Sequence, residues 1–253
     1  MSEAPKQFSV LGLPVHLMDD YVNWLRSRLQ QGKGTHVVTL NAEMTMQAER
    51  QARLAQVIQQ AELVIPDGAG IVLYLLFQGR QIKRCPGIEL AESLLPSGRL
   101  EDKLRVFFYG GAPGVAESAA AAWQQRVPDL KVAGTQHGYL SAVEEEELRQ
   151  TLTQLQPQLI LVGLGVPRQE LWIAQNRFLC PHSVWIGVGG SFDIWAGTKS
   201  RAPAWLADNH LEWLYRLSQE PWRWRRMLAL PQFAWKAVIY RLTQRGRVGE
   251  QLP

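Results

Sequence analysis

Short apolar runs alternate along the chain with stretches whose apolar residues return every three or four positions, the pattern of repeated β/α units. The runs predict strands at His36 to Leu40, Leu63 to Ile65, Leu104 to Tyr109, Lys131 to Thr135, Leu159 to Val162 and Ser183 to Val188. Helical spacing between them predicts helices at Met18 to Gln31, Ala42 to Gln60, Gly70 to Phe77, Gly87 to Ser97, Gly114 to Val127, Ala142 to Gln156 and Arg168 to Leu179. The expected fold is α/β, a Rossmann-like and mostly parallel sheet flanked by helices, followed by a helical C-terminal appendage. Residues 1–200 are read as the core and 201–253 as the appendage, which Pro221 and Pro231 are expected to cut into short helices.

A chain of 253 residues buries a sizeable core without covalent staples. Its two cysteines, Cys85 and Cys180, have neither CxxC nor Cys/His ligand spacing and read as reduced thiols, so no metal is expected. No run of about 18 apolar residues occurs, and the first residues lack the basic and apolar sections of a signal peptide. The chain is expected to be cytoplasmic.

Charge sharpens the division into core and appendage. Residues 1–200 carry 18 basic and 19 acidic side chains, whereas 201–253 carry 9 and 4. Five of the ten tryptophans fall between Trp205 and Trp235, interleaved with Arg216, Arg223, Arg225 and Arg226. Such a mixture fits interfacial helices on anionic lipid, or a stacking platform for single-stranded nucleic acid. A plain helical cap with solvated arginines fits the composition equally well.

The residues that end the predicted strands carry the chemistry. Asp67 and Gly68 close an apolar run, Thr39 and Asn41 close another, and Gly110-Gly111 open a helix with amides that can hold a phosphate. Gly165, Arg168 and Gln169 follow the fifth strand, and Gly189, Gly190 and Asp193 the sixth. In a parallel sheet these ends share one edge, which is where such folds bind ligands. Near an apolar wall Asp67 is placed to rise toward the pKa of a working base. A GxGxxG fingerprint with its ribose-binding acid is missing, which disfavours nicotinamide chemistry. The serines and five histidines form no recognisable triad, and no paired carboxylates stand ready for a divalent ion.

Taken in order, Thr39-x-Asn41-Ala42-Glu43, Pro66-Asp67-Gly68, Arg84-x-Pro86-Gly87-x-Glu89, Gly163-x-Gly165-x-Pro167-Arg168-Gln169-Glu170 and Gly187-x-Gly189-Gly190-x-Phe192-Asp193 form a series. Arg201-Ala202-Pro203, Glu212 to Leu217 and Glu220-Pro221 extend it. Over roughly residues 8 to 230 the series resembles the WecG/TagA/CpsF family of bacterial glycosyltransferases.

That resemblance implies an inverting transfer of N-acetylmannosamine, or a related hexose or uronic acid, from a UDP donor to a polyprenyl-diphosphate-linked sugar at the inner face of the cytoplasmic membrane. It implies Asp67 as general base, and Thr39, Asn41 and Gln169 as sugar-orienting groups, with Arg84 as an anion ligand. Tyr139 and Asp193 would meet the uridine and Gly110 and Gly111 the diphosphate, with Gly165, Arg168, Gly189 and Gly190 shaping the same side. Arg216 and Arg223 would close over the donor, and the appendage would rest on anionic lipid. No cofactor, metal or nucleic acid is expected. A homo-oligomer that covers apolar surface near the pocket is compatible with the sequence, which fixes no symmetry. Of the departures from the expected pattern, Glu89 for Asp and Arg168 for Lys keep charge and should leave the machinery intact, whereas Val166 for a small residue and Asn209-His210 where glycine is common leave the donor sugar open.

Overall fold

The computed structural model describes residues 4–80, 82, 84–96, 104–203, 205–206 and 211–249, with backbone alone for Arg223 and 241–249. Six strands form one parallel sheet: β3 (Thr35–Leu40), β4 (Leu63–Pro66), β5 (Arg105–Gly110), β6 (Lys131–Gln136), β7 (Leu159–Gly163) and β8 (Val184–Gly187). Their order across the sheet is β4-β3-β8-β7-β5-β6, so all six carboxyl ends lie on one edge. Sequence and structure agree on every one of these strands to within a residue or two.

Alternation along the strands separates the two faces. Val37, Leu63, Ile65, Phe108 and Ile186 point into a core built with α1 (Tyr21–Gln30), α5 (Gly87–Leu94), α6 (Val115–Arg126) and α9 (Ser191–Trp195). On the other face, Val38, Leu40 and Val64 pack under α2 (Ala42–Arg50), α3 (Ala52–Gln60) and α4 (Ala69–Phe77). Phe107, Tyr109, Ile160, Val162 and Trp185 pack under α7 (Ala142–Leu155) and α8 (Arg168–Asn176). Strands covered on both faces read as continuous apolar runs, which is why the sequence located them so closely.

Three features depart from the sequence reading. An antiparallel hairpin, β1 (Lys6–Val10) and β2 (Leu13–Leu17), precedes α1 and turns through Leu11 (φ 49°) and Gly12 (φ 86°). Positive φ at both turn residues makes the primed type of turn that suits strand twist. The hairpin packs beside β4, where His16 Nδ1 accepts the Val64 N–H at 2.9 Å and covers the sheet's edge. The predicted helix Ala42 to Gln60 is two helices, broken at the extended residue Gln51 so that α3 can run over β2 and α8.

Pro221 does interrupt the appendage, opening a 3₁₀ turn (Pro221–Arg223) between the helices Glu212–Gln219 and Trp224–Met227. Pro231, by contrast, lies inside the helix Ala229–Gly249 and does not cut it. It is the third residue, and N–H groups in the first turn have no helical acceptor to lose. This helix lies against α2 and α4, with Phe233 buried edge-on to Tyr74 at 5.9 Å between ring centres. No described helix is long and apolar enough to cross a membrane.

Where β5 and β7 end, Gly110 has φ +135° and a Cβ added to it would stand 2.4 Å from the Gly163 carbonyl oxygen. Gly114, at φ +84°, meets nothing within 4 Å. Gly110→Ala is therefore expected to cost about 2–4 kcal/mol in urea denaturation, and Gly114→Ala only about 1 kcal/mol. Equal costs at the two positions would show that the close approach of β5 and β7 carries no strain.

Candidate active site

Asp67 directly follows β4, and its N–H donates to the Leu40 carbonyl at 2.9 Å, so its backbone is still held by the sheet. The chain returns to the same place after α4, where the Cys85 N–H donates to Pro66 O at 3.2 Å and sets Arg84 beside Asp67. Gly87 then opens α5 and donates its N–H to the Asp67 carboxylate. A Cβ on Gly87 would stand 2.5 Å from Thr39 Cγ2, so glycine is what lets α5 approach this closely.

From the other side comes the helix Glu212–Gln219. Glu212 reaches Arg84 through Oε2 at 2.5 Å and Arg216 through Oε1 at 2.5 Å. Asp67 looks out of this cluster into a cleft and is partly open to solvent through it. Burial raises its pKa to about 6; Arg84 and Arg216 pull it down, and Glu212 pushes it up again. Burial likewise pushes Glu212 up, yet Arg216 and Arg84 outweigh that effect and hold it below the usual carboxylate range.

The cleft runs along the carboxyl edge of β4, β3, β8 and β7 and gathers Thr39, Asn41, Asp67, Arg84, Gly165, Gln169, Gly189, Gly190 and Arg216 of the expected residues. The polar atoms of three of them are engaged inside the protein. Thr39 Oγ1 donates to Gly187 O at 3.2 Å, and Asn41 Oδ1 accepts the Met44 N–H at 2.9 Å as the cap of α2. Gln169 Oε1 accepts N–H groups from Gly165 (3.2 Å) and Gly189 (3.0 Å), while its Nε2 donates to Glu170 Oε1 at 2.8 Å. A Cβ on Gly187 would stand 2.5 Å from Gln169 Nε2. The buried amide therefore clamps the loops after β7 and β8 together.

The remaining expected residues lie outside this cleft's lining. Gly110 ends β5 and Gly111 follows it, and Tyr139 is exposed beyond β6. Arg168 Nη2 donates to Gly138 O at 3.1 Å, joining the loops after β7 and β6. Asp193, in α9, faces Lys199 at 3.5 Å. Arg223 sits in the 3₁₀ turn, and its side chain lies outside the described residues.

Sequence reading did not single out Glu212, Glu43, Lys199, Glu220 or Arg226 as site residues. Arg226 Nε lies 2.6 Å from Glu43 Oε1, and Lys199 Nζ 3.1 Å from Glu220 Oε1, all on the cleft wall. The i,i+4 spacing of Glu212 and Arg216 was the available signal, since such pairs meet on one helix face. No group of three or more His, Cys, Asp or Glu among the described residues is placed to hold a metal ion.

A profile of the glycosyl transferase WecG/TagA/CpsF family matches residues 8–247. The chain belongs to this family. As a WecG/TagA/CpsF member it is a glycosyltransferase. It is similar to an N-acetylglucosaminyldiphosphoundecaprenol N-acetyl-β-D-mannosaminyltransferase of Bacillus spizizenii, 37% identical over 81% of this chain and 79% of that one. Enzymes of the same name from Bacillus subtilis and Staphylococcus aureus are each 32% identical, over 86% and 82% of this chain and 84% and 81% of theirs.

The clamp has a pH signature. Glu170 is buried, its Oε2 has no partner among the described residues, and burial raises its pKa to about 7 although Gln169 donates to it. Its contribution to stability is complete below the unfolded value near 4.5 and is lost as pH rises through about 7. Glu170→Gln keeps an acceptor for Gln169 but does not ionise. Relative to wild type it is expected to gain about 1–3 kcal/mol between pH 4.5 and pH 8.5 in urea denaturation. A difference between the two proteins that does not vary with pH would contradict the burial of an ionisable Glu170.

Proposed function

We propose that this glycosyltransferase moves N-acetylmannosamine, or a related hexose or uronic acid, from a UDP donor to N-acetylglucosamine carried on undecaprenyl diphosphate. The names of the relatives support the acceptor and the mannosaminyl group, and the β linkage in those names agrees with inversion at an α-linked donor. Asp67 is the general base. Its carboxylate takes the proton of the acceptor hydroxyl while that oxygen attacks the anomeric carbon; the bond to the UDP oxygen breaks, and the electron pair leaves with the diphosphate. Arg84 and Arg216 compensate that charge in place of a divalent ion.

The observation that carries this reading is the setting of Asp67: a carboxylate at a strand end, raised to about 6 by burial, with two guanidinium groups beside it. A base at this value is ionised at neutral pH and still strong enough to accept a proton. The side chain of Gln169, spent on the loops, shapes the donor side of the cleft instead of reaching the sugar. Neutral donors for the sugar hydroxyls come from the remaining amide hydrogens of Asn41 and from backbone groups at the glycine loops.

The enzyme acts from the membrane surface in this reading. Trp222 (71% exposed), Trp224 (53%) and Trp235 (68%) present large rings to solvent, and Arg225 lies over the Trp224 ring, a combination suited to the headgroup layer.

Asp67→Asn is expected to lower kcat about 10²–10⁴-fold while UDP affinity stays within about threefold in calorimetry. In wild type, kcat/KM should fall as pH drops below about 6, where the base is protonated, and level off above it. Because the folded pKa is raised, Asp67 loses stabilising free energy as pH rises from about 4 through 6, so Asp67→Asn should also be more stable than wild type at pH 7.5, by about 1–3 kcal/mol. An active Asp67→Asn enzyme would remove Asp67 from the mechanism.

Membrane contact is tested by flotation with vesicles of anionic phospholipid. Combined replacement of Trp222, Trp224 and Trp235 by Ser is expected to weaken association roughly tenfold or more. Unchanged flotation would place the contact elsewhere.

A further inference from the structure

Every cation named so far on the cleft wall already has a carboxylate partner. Arg226 is on Glu43, Lys199 is on Glu220, and Arg84 and Arg216 are both on Glu212. The last arrangement differs in kind from the others. Its two carboxylate oxygens bind two different guanidinium groups, each at 2.5 Å, so a single anion bridges a core arginine and an appendage arginine. The i,i+4 pairing of Glu212 with Arg216 needs no help from Arg84, and Arg84 comes from a different part of the chain, before α5.

Two nearby guanidinium groups bridged by one anion make the geometry that a phosphoryl or diphosphate group takes between arginines. Glu212 is 13% exposed and its partners hold it ionised. Together with Asp67 it makes the cluster electrically balanced: two carboxylates face two arginines. A diphosphate placed on Arg84 and Arg216 with Glu212 still there would bring two or more further negative charges into a partly buried space where the other cations named, Lys199 and Arg226, are already paired. The same residue lines both the cleft over β3 and β8 and the adjoining hollow over the start of α4, so the arginines it holds face both sides of Asp67.

We propose that Glu212 is an internal placeholder for a diphosphate: it holds Arg84 and Arg216 in register while the cleft is empty and releases them when a diphosphate ester enters. Glu212 is thus a positioning residue, acting through the two arginines. The ligand class, a diphosphate ester, rests on the reading of the cleft as a site for a nucleoside diphosphate sugar and a lipid diphosphate. Which of the two diphosphates displaces Glu212 is decided by experiment.

The full-length chain is titrated calorimetrically at low salt with inorganic pyrophosphate, UDP, farnesyl diphosphate and uridine. Glu212→Gln is expected to bind pyrophosphate about tenfold more tightly than wild type, with uridine unchanged. Glu212→Asp, one methylene too short to bridge both arginines, should lie between them and serves as the check if the first variant melts early. A gain shared by UDP assigns the place to the donor diphosphate, and a gain shared by farnesyl diphosphate assigns it to the acceptor; either supports the placeholder. A gain for pyrophosphate alone also supports it while counting against the proposed substrates. Pyrophosphate binding that is unchanged or weaker in both variants overturns it, since a residue that merely anchored the helix would loosen the arginines and lose affinity, whatever UDP does.

Discussion

Asp67 is held between opposing electrostatic demands, and the placement of much else follows from them. Burial at the end of β4 pushes the carboxyl toward its neutral form, while Arg84 and Arg216 favour the anion. Neither influence alone suits the base proposed for this position: an unopposed pair of arginines makes a carboxylate too weak to take a proton, and unopposed burial leaves it protonated. Glu212 sets the balance by drawing off part of the arginines' charge. Only one of these groups, Arg84, belongs to the core sheet region. The other two come from the helix Glu212–Gln219, so the protonation state of a core residue depends on whether the appendage is docked.

Beside Asp67 the sheet solves a second problem. Loops after β7 and β8 must approach each other without side chains between them, and their N–H groups need an acceptor. One oxygen of Gln169 accepts from both, its nitrogen is satisfied by Glu170, and the missing side chain of Gly187 makes room for the amide. The cost is a buried carboxyl with one oxygen that finds no partner among the described residues. Stability is given up there for the shape of a cleft wall, a common exchange at functional sites.

The sheet was legible because parallel strands buried on both faces are uninterrupted apolar runs, and the polar residues just beyond them had to share an edge once the strands were parallel. What escaped the sequence has physical reasons. The β1–β2 hairpin turns through Leu11-Gly12, where leucine occupies a position usually given to Asn or Asp, so no turn signal marked it. The break at Gln51 is set by packing of α3 on β2 and α8, not by a local breaker. Pro231 reads as an interruption unless its place in the first turn is known. Thr39, Asn41 and Gln169 were recognisable as polar strand-end positions, but residue type alone does not reveal that the Thr39 hydroxyl, the Asn41 oxygen and the Gln169 amide are engaged inside the protein. Glu212 appeared only as a neighbour of Trp213 and Arg216, because its second partner, Arg84, lies 128 positions away.

Docking of the appendage is weaker than its contacts suggest at first sight. The links Arg226–Glu43, Lys236–Glu49 and Arg201–Glu89 are half-open ion pairs, each worth no more than about 1 kcal/mol in water and less in salt. Phe233 against Tyr74 is the one fully buried aromatic anchor described in the C-terminal helices, and it fixes the helix Ala229–Gly249 rather than the segment that carries Arg216. That leaves Arg84–Glu212 as the better-buried connection between the core and the helix Glu212–Gln219. A ligand anion that replaces Glu212 on Arg84 also bonds Arg216, so it exchanges one bridge between the two parts for another. The helix therefore stays docked when its own carboxylate lets go, provided the entering group has at least two anionic oxygens. A diphosphate ester meets that condition and an uncharged sugar does not, so under the placeholder proposal the helix stays docked on the charged group of whichever substrate brings it.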